Sequence, residues 1–282
     1  MTRQMAQRLL LGGTVALAAL TTNARAEELR IGFLAPMTGI FAQIGKDMSN
    51  GFEMYLDEHK NDKEAFGGAQ IKFILEDEQG KPQTAVLKAQ KLIRQDKVHF
   101  LAGGLLASTG YALAPVSTRE KVVYVVSIPS ADDLTQRDLP KYPYLIRTSW
   151  TSSQPNHPFG QWACEQGYKK IVTIAADYAF GYESVGGFQR VFEDCGGQII
   201  QKIWPPLTTK DFGPYIPTIR KDADAIYSLM VGPMTLQFPK QLADSGNTKP
   251  VIGGGTGYDE FSLPFMRDEG IGHISALHYS AA

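Results

Sequence analysis

Short apolar runs alternate along this chain with stretches whose apolar residues recur at helical spacing, from residue 29 almost to the last residue. The first unit sets the pattern. Residues 29–35, LRIGFLA, form an apolar run; Pro36, Gly39 and Gly45 punctuate the next stretch; residues 48–56 then carry apolar side chains at helical spacing. The expected order is strand, loop, helix. In an open α/β sheet such a loop lies at the carboxyl end of its strand, where helix N-termini present free backbone N–H groups, so it forms one wall of a candidate binding site. The signals then recur: a strand over 71–75 with a Pro82-led helix through Arg94, a strand over 99–102 with a helix through Ser117, and a β-branched and aromatic strand over 122–127. Residues 144–150, YLIRTSW, have strand character. Beyond them the alternation restarts: helix 156–166, strand 171–175, helix 182–195, strand 199–204, a helix ending at 221, strand 225–230, helix 234–245, strand 251–252 and a strand-like run over 274–279. Such alternation means βαβ units, parallel sheets and right-handed crossovers. The fold class expected is α/β, two Rossmann-like lobes with parallel sheets, joined by a hinge at Arg147, Thr148 and Trp150.

Length agrees with this division, since 282 residues exceed one ordinary domain and suit two. With 43% hydrophobic residues, 20% charged residues and a formal net charge of -1, the composition is that of a globular protein without the basic excess of a nucleic-acid binder, and nucleic acid drops out as a partner. The first 26 residues stand apart. Arg3 and Arg8 precede an apolar run over 9–20, and Ala24-Arg25-Ala26 supplies a small-x-small cleavage pattern, which predicts a signal peptide removed near Ala26. The run falls short of the roughly 20 residues that cross a bilayer, and no cysteine follows it to carry a lipid. Release into an oxidising compartment is expected. Cys164 and Cys195 lie on predicted helices flanking the strand over 171–175, where they can sit side by side on one sheet face. Export favours a disulfide between them, two separate thiols being the alternative. With no C-x-x-C and no flanking histidine, neither is read as a catalytic thiol or a metal ligand.

Three hydroxyl-bearing loops follow predicted strands: Ser108 and Thr109, Ser130, and Thr256 within the glycine run 253–257. Hydroxyls and free N–H groups at strand ends donate hydrogen bonds in a cleft that excludes water, which suits a carboxylate. Taken singly each reads as a helix cap; their recurrence at equivalent positions is what points to a ligand. Glu76-Asp77-Glu78 reads as a solvated strand end near a helix N-terminus in preference to a metal site. Enzyme signatures are missing. The glycine run lacks the Gly-Lys-Ser/Thr of a phosphate loop, a dinucleotide fingerprint needs glycine where Tyr258 stands, there is no G-x-S-x-G, and His59, His99, His157, His273 and His278 have no metal-ligand spacing. Asp177 ends a predicted strand without a visible catalytic partner. No catalytic residue, metal or cofactor is expected.

Ile31-Gly32-Phe33-Leu34-Ala35-Pro36-Met37-Thr38-Gly39 with Gly45 and Gly51, Glu76-Asp77 before Pro82 and Ala85-Val86, Ser108-Thr109, Arg147-Thr148 and Asp177-Tyr178-Ala179-Phe180-Gly181 together resemble the type I periplasmic solute-binding proteins of ABC transporters, in the branch that includes branched-chain amino acid binding proteins. The resemblance implies an N-terminal lobe over 27–148, a C-terminal lobe over 149–275 and a return crossing at 276–282. It also implies a periplasmic monomer that closes on a small carboxylate ligand and presents it to permease subunits in the membrane. Carried over by position, the carboxylate is held by Ala107, Ser108 and Thr109 and by Ile128 and Ser130, with second-lobe contacts at Phe180, near 230–232 and at Thr256. Two departures matter. Thr256 stands where amino-acid binders place an acid against the ligand ammonium, and pocket tyrosines are replaced by Ile44 and Phe180. A buried ammonium without a counter-charge is costly, so the expected ligand is an aromatic acid such as a benzoate or cinnamate stacked on Phe180. An acidic pocket residue that this alignment misses would bring back an amino acid. Trp150 is expected to pack in the hinge without touching ligand. Relatives run on further, so the last elements of the fold are expected to be missing and apolar sheet face exposed. A ligand-sensing receptor domain and an α/β enzyme remain as other classes.

Overall fold

A computed structural model describes residues 28–62, 64–135, 141–254, 258–259 and 262–279. The predicted signal peptide and Thr256 lie outside these residues. In the first lobe, β1 (Glu28–Ala35), β2 (Gln70–Asp77), β3 (Phe100–Gly103), β4 (Val123–Val126) and β5 (Leu145–Arg147) make one sheet in the order β2-β1-β3-β4-β5, with α1 (Ala42–His59), α2 (Pro82–Arg94) and α3 (Ala107–Glu120) as crossovers. In the second, β6 (Lys170–Ala175), β7 (Gln198–Ile203), β8 (Ala225–Leu229), β9 (Val251–Gly254) and β10 (Ile274–Ala276) form a sheet ordered β10-β9-β8-β6-β7, with α4 (Asn156–Glu165), α5 (Ala179–Asp194) and α6 (Met234–Asp244). Every pairing is parallel, as the βαβ alternation requires. In each order the chain reverses beside its first strand, β1 or β6, and such a switch point opens a crevice at the strands' carboxyl ends.

Apolar stripes seat the helices. On α2 the buried residues are Ala85, Ala89, Leu92 and Ile93, a helical face. On α5, Phe188 and Phe192 stack at 5.4 Å and Phe188 meets Tyr227 of β8 at 4.5 Å. On the other face of the first sheet, Phe33, Phe52 and Phe73 cluster with centroids 4.9 to 5.4 Å apart. A disulfide joins Cys164 near the end of α4 to Cys195 just past α5, Cα atoms 6.5 Å apart.

Two local expectations fail. α1 starts at Ala42 and not at 48, because Gly45, read as loop punctuation, is a packing glycine: a Cβ there would strike the Pro36 carbonyl. The helix expected to end at 221 is instead a run of turns with a single 3-10 turn, Ile216–Thr218. Pro205, Pro206, Pro214 and Pro217 remove the N–H donors a helix needs, yet the segment still buries Phe212 against Phe238 of α6, centroids 5.3 Å apart. At the sheet edges Ile146 of β5 and Ile274 of β10 are exposed. Among the described residues no helix is long and apolar enough to cross a membrane.

Candidate functional site

A cleft of about 480 Å³ lies between the lobes, within the range of small-molecule sites. Its first-lobe wall begins where β3 ends. Gly103 and Gly104 take φ of +86° and +77°, and a Cβ on Gly103 would collide with the Leu34 carbonyl, so the chain can turn there only without side chains. The turn delivers Leu105, Leu106 and Ala107 to the cleft at the start of α3. Leu106 caps that helix in extended conformation without a side-chain hydrogen bond, which leaves first-turn N–H groups to a ligand. Two of the hydroxyls expected here do not reach the cleft. Thr109 is fully buried and its hydroxyl donates to Glu78 Oε2 at 3.5 Å, while Ser108 is half-buried and outside the lining. Successive helical side chains diverge by about 100°, so three in a row cannot face one cleft, whereas the N–H groups of a first turn do point together.

Ile128 and Ser130, after β4, line the same wall. Arg147 holds this turn: its guanidinium donates to the carbonyls of Pro129 and Trp150, both at 2.9 Å, and of Ala131 at 2.5 Å, and to Thr135 Oγ1 at 2.9 Å. Burial draws its pKa down. Thr148 N–H donates to the Val126 carbonyl at 3.1 Å. The expected hinge residues therefore fasten the crossing to the cleft wall. Behind Ser130, the Ser152 hydroxyl lies 2.8 Å from its carbonyl, 3.1 Å from its Oγ and 2.7 Å from Glu183 Oε2. Glu183 belongs to α5 of the second lobe and also accepts from Tyr111 OH of α3 and from Asp132 N–H at 3.1 Å. Burial raises its pKa against those hydrogen bonds. It is a tie between lobes that the sequence did not disclose, because its partners come from three distant segments.

The second-lobe wall is aromatic. Phe180 lines the cleft with Tyr178, centroids 5.9 Å apart, and Trp150 meets Phe180 edge-on at 5.6 Å. Trp150 does more than pack the hinge, since its ring faces the cleft and stacks on His278 at 4.6 Å. Ile44 of α1 faces the cleft, as do Phe41 and Leu236, which sequence reasoning missed; Phe41 follows Ile40 in the opening loop and could have been found there. Two acids missed by the alignment also line it. Asp47 is exposed and accepts from Gln43 Nε2 at 3.0 Å, and Asp259 is half-buried with Oδ1 accepting from Ser262 N–H at 2.9 Å.

The acidic run after β2 disperses. Glu76 pairs with Lys88 and Lys91, both at 2.6 Å. Asp77 receives Met37 N–H at 2.9 Å and Thr38 Oγ1 at 2.6 Å; burial would raise its pKa, but these hydrogen bonds outweigh it and hold the carboxyl low. Glu78 turns inward, and burial pushes it up to about 7. Asp177 is exposed and takes the Tyr182 hydroxyl. Among the described residues no group of acids, histidines or cysteines could hold a metal ion.

Comparison with known proteins puts this arrangement in context. The family described as periplasmic binding protein matches residues 28–277. A Leu/Ile/Val-binding protein homolog 6 from Brucella melitensis is 29% identical, covering 92% of this chain and 66% of the relative, so the chain spans about two thirds of that relative's length. The solute binding protein of an ABC transporter from Rhodopseudomonas palustris BisB5, solved with 3,4-dihydroxy benzoic acid, superposes with a TM-score of 0.82 at 32% identity over 90% of this chain and 69% of that one. Another R. palustris solute binding protein, solved with 4-hydroxybenzoate, gives 0.79 at 31% identity over 87% and 66%. Two parallel sheets facing one cleft, matched along nearly all of their length, place the chain in the periplasmic binding protein family, with the two-lobe fold of its type I members.

Proposed function

We propose that the protein captures a small carboxylate, an aromatic acid of the benzoate class, between its lobes and presents it to the permease of an ABC transporter. The observation that carries this reading is the asymmetry of the cleft: an uncapped α3 N-terminus and Ser130 on one wall, Phe180, Tyr178 and Trp150 on the other. Free N–H groups at a helix N-terminus attract an anion, and aromatic edges and faces suit an aryl ring. Two relatives at 31% and 32% identity were solved with hydroxylated benzoates, which supports the same chemistry here. Binding, not turnover, is the activity proposed. Ala107, Ile128, Ser130, Ile44 and Phe180 are the contacts, and Thr256, outside the described residues, is carried as a further contact from the family resemblance alone; Thr109 supports the wall from behind. The lobes are taken as 27–148 and 149–275, hinged at Arg147, Thr148 and Trp150 with a return crossing at 276–282, and the working form as a periplasmic monomer.

Asp47 and Asp259 favour a second reading, an amino acid whose ammonium one of them neutralises. Curated relatives named for Leu/Ile/Val support it. Asp259 spends one oxygen on Ser262 and Asp47 is exposed, so neither is a dedicated buried counter-charge. Thermal melts against benzoates, aliphatic acids and amino acids separate the two. Ligand at a hundred times its Kd adds about 2.7 kcal/mol; a rise with benzoates alone supports the first reading, and a rise with amino acids alone overturns it in favour of the second.

A further inference from the structure

Glu78 is completely buried at the end of β2, directly behind the first turn of α3. Its carboxyl accepts from Leu105 N–H and, at 3.5 Å, from the Thr109 hydroxyl, while Oε1 has no partner. The nearby lysines are engaged elsewhere: Lys88 and Lys91 pair with Glu76, and the Lys81 ammonium bonds Gln79 at 3.3 Å. Among the described residues no cation pairs with it. Leu105 and Ala107, on the same turn, face the cleft. A ligand carboxylate and an ionised Glu78 would thus be two anions on one helix N-terminus in a region largely without water, where like charges drive one another toward the neutral form.

We propose that a carboxylate occupying the cleft drives Glu78 toward the neutral acid, so that near neutral pH the protein takes up an anionic ligand together with a fraction of a solvent proton held at this residue. The inference rests on the carboxylate reading above. Burial, the largest influence, and the charge of Asp77 favour the neutral acid, and together they outweigh the hydrogen bonds from Leu105, Thr109 and Lys81, which favour the ionised form. Asp77 beside it on β2 is held ionised by the Thr38 hydroxyl and backbone N–H groups, and its charge opposes a second one. From β4, Tyr124 donates its hydroxyl to the Gly103 carbonyl at 2.9 Å and is itself pushed far up by burial, so it stays neutral. From α3 comes a hydroxyl, and from the start of α2 a backbone N–H of Lys81, neither carrying charge. Burial places the carboxyl at about 7 without ligand, where a second anion has most effect on its proton. Glu78 therefore acts on specificity without touching ligand: it tunes how strongly the α3 N-terminus holds an anion.

Calorimetric titration of the whole chain with benzoate, whose one carboxyl stays ionised from about pH 6 to about pH 9, tests this. Titrations run in phosphate and in Tris count protons, and a pH series gives Kd. The wild type is expected to take up a large fraction of a proton near pH 7.5 and to lose about tenfold in affinity between pH 6 and pH 9, with E78Q taking up none and binding independently of pH. His278, stacked on Trp150 beside the cleft, and Glu183, raised by burial behind Ser130, are the rival titrating groups, and H278Q and E183Q are each expected to keep the proton uptake. Binding without proton uptake, or uptake that H278Q or E183Q abolishes and E78Q retains, overturns the inference and leaves the functional reading standing. If E78Q does not fold, proton uptake kept by both H278Q and E183Q supports the inference, and its absence from either overturns it. If benzoate, 4-hydroxybenzoate and leucine all fail to bind at any pH, the functional reading fails and this inference with it.

Discussion

Glu78, Phe180 and Trp150 illustrate how much single side chains carry here. Glu78 rises from 4.5 to about 7 through burial, so the folded state holds its proton more tightly than the unfolded chain does. Its stabilising contribution is complete below about pH 4.5 and is lost as pH rises through about 7. The change amounts to about 3 kcal/mol at about 1.36 kcal/mol per unit. Ligand-free E78Q should match the wild type in urea melts at pH 5 and exceed it at pH 8.5; parallel curves would show that the carboxyl is not buried without counter-charge. Phe180, 4% exposed, and Trp150 together make the aromatic wall. F180A is expected to weaken benzoate binding by about ten- to a hundredfold through lost apolar and ring contact, measured by calorimetry, with little change in the affinity of any aliphatic acid that binds. Phe180 was visible in the sequence because it interrupts a recognisable run. Glu78 was read as part of a solvated acidic cluster, since nothing in the order Glu-Asp-Glu says which of three neighbours turns inward.

Among the elements, the α4–α5 pair is held by the Cys164–Cys195 disulfide, which closes a sequence separation of 31. Constraining a loop of this length in the unfolded chain contributes about 4 kcal/mol in the chain-entropy view. C164S/C195S, or reduction of the wild type, should therefore lower the melting temperature by several degrees while leaving ligand affinity nearly unchanged, because neither cysteine lines the cleft. A large loss of affinity would instead mean that α5 carries Phe180 out of place. The segment from 205 to 221 teaches the opposite lesson. Its apolar spacing was real and is used to bury Phe212, Ile216 and Ile219, but its prolines forbid the helix that the spacing alone predicted.

For the molecule as a whole, the relation between lobes depends on contacts that cross from one to the other. Glu183 collects Tyr111 and Asp132 of the first lobe and, through Ser152, reaches Ser130 on the cleft wall. Removing it deprives the buried Ser152 hydroxyl and the half-buried Tyr111 and Asp132 donors of this acceptor and loosens the contact between lobes. E183A is expected to weaken ligand binding by about tenfold or more and to raise the radius of gyration of the ligand-bound protein in small-angle X-ray scattering. An unchanged scattering profile would show that the tie is dispensable for closure.

The strand and helix periodicities, the Pro82 start of α2, the glycine turns and the two-lobe α/β plan were all legible in sequence, because each follows from local backbone limits and from apolar spacing over a few residues. The second copy of the pattern after Trp150 marked the second lobe for the same reason. The tertiary structure alone decided which side chains meet. It turned Thr109 away from the cleft, brought Trp150, Phe41, Asp47 and Asp259 into the lining, sealed Glu78 behind α3 and set Glu183 across the lobes. Those outcomes depend on the direction of each Cβ and on contacts between residues far apart in the chain, and neither is encoded in any short stretch of sequence.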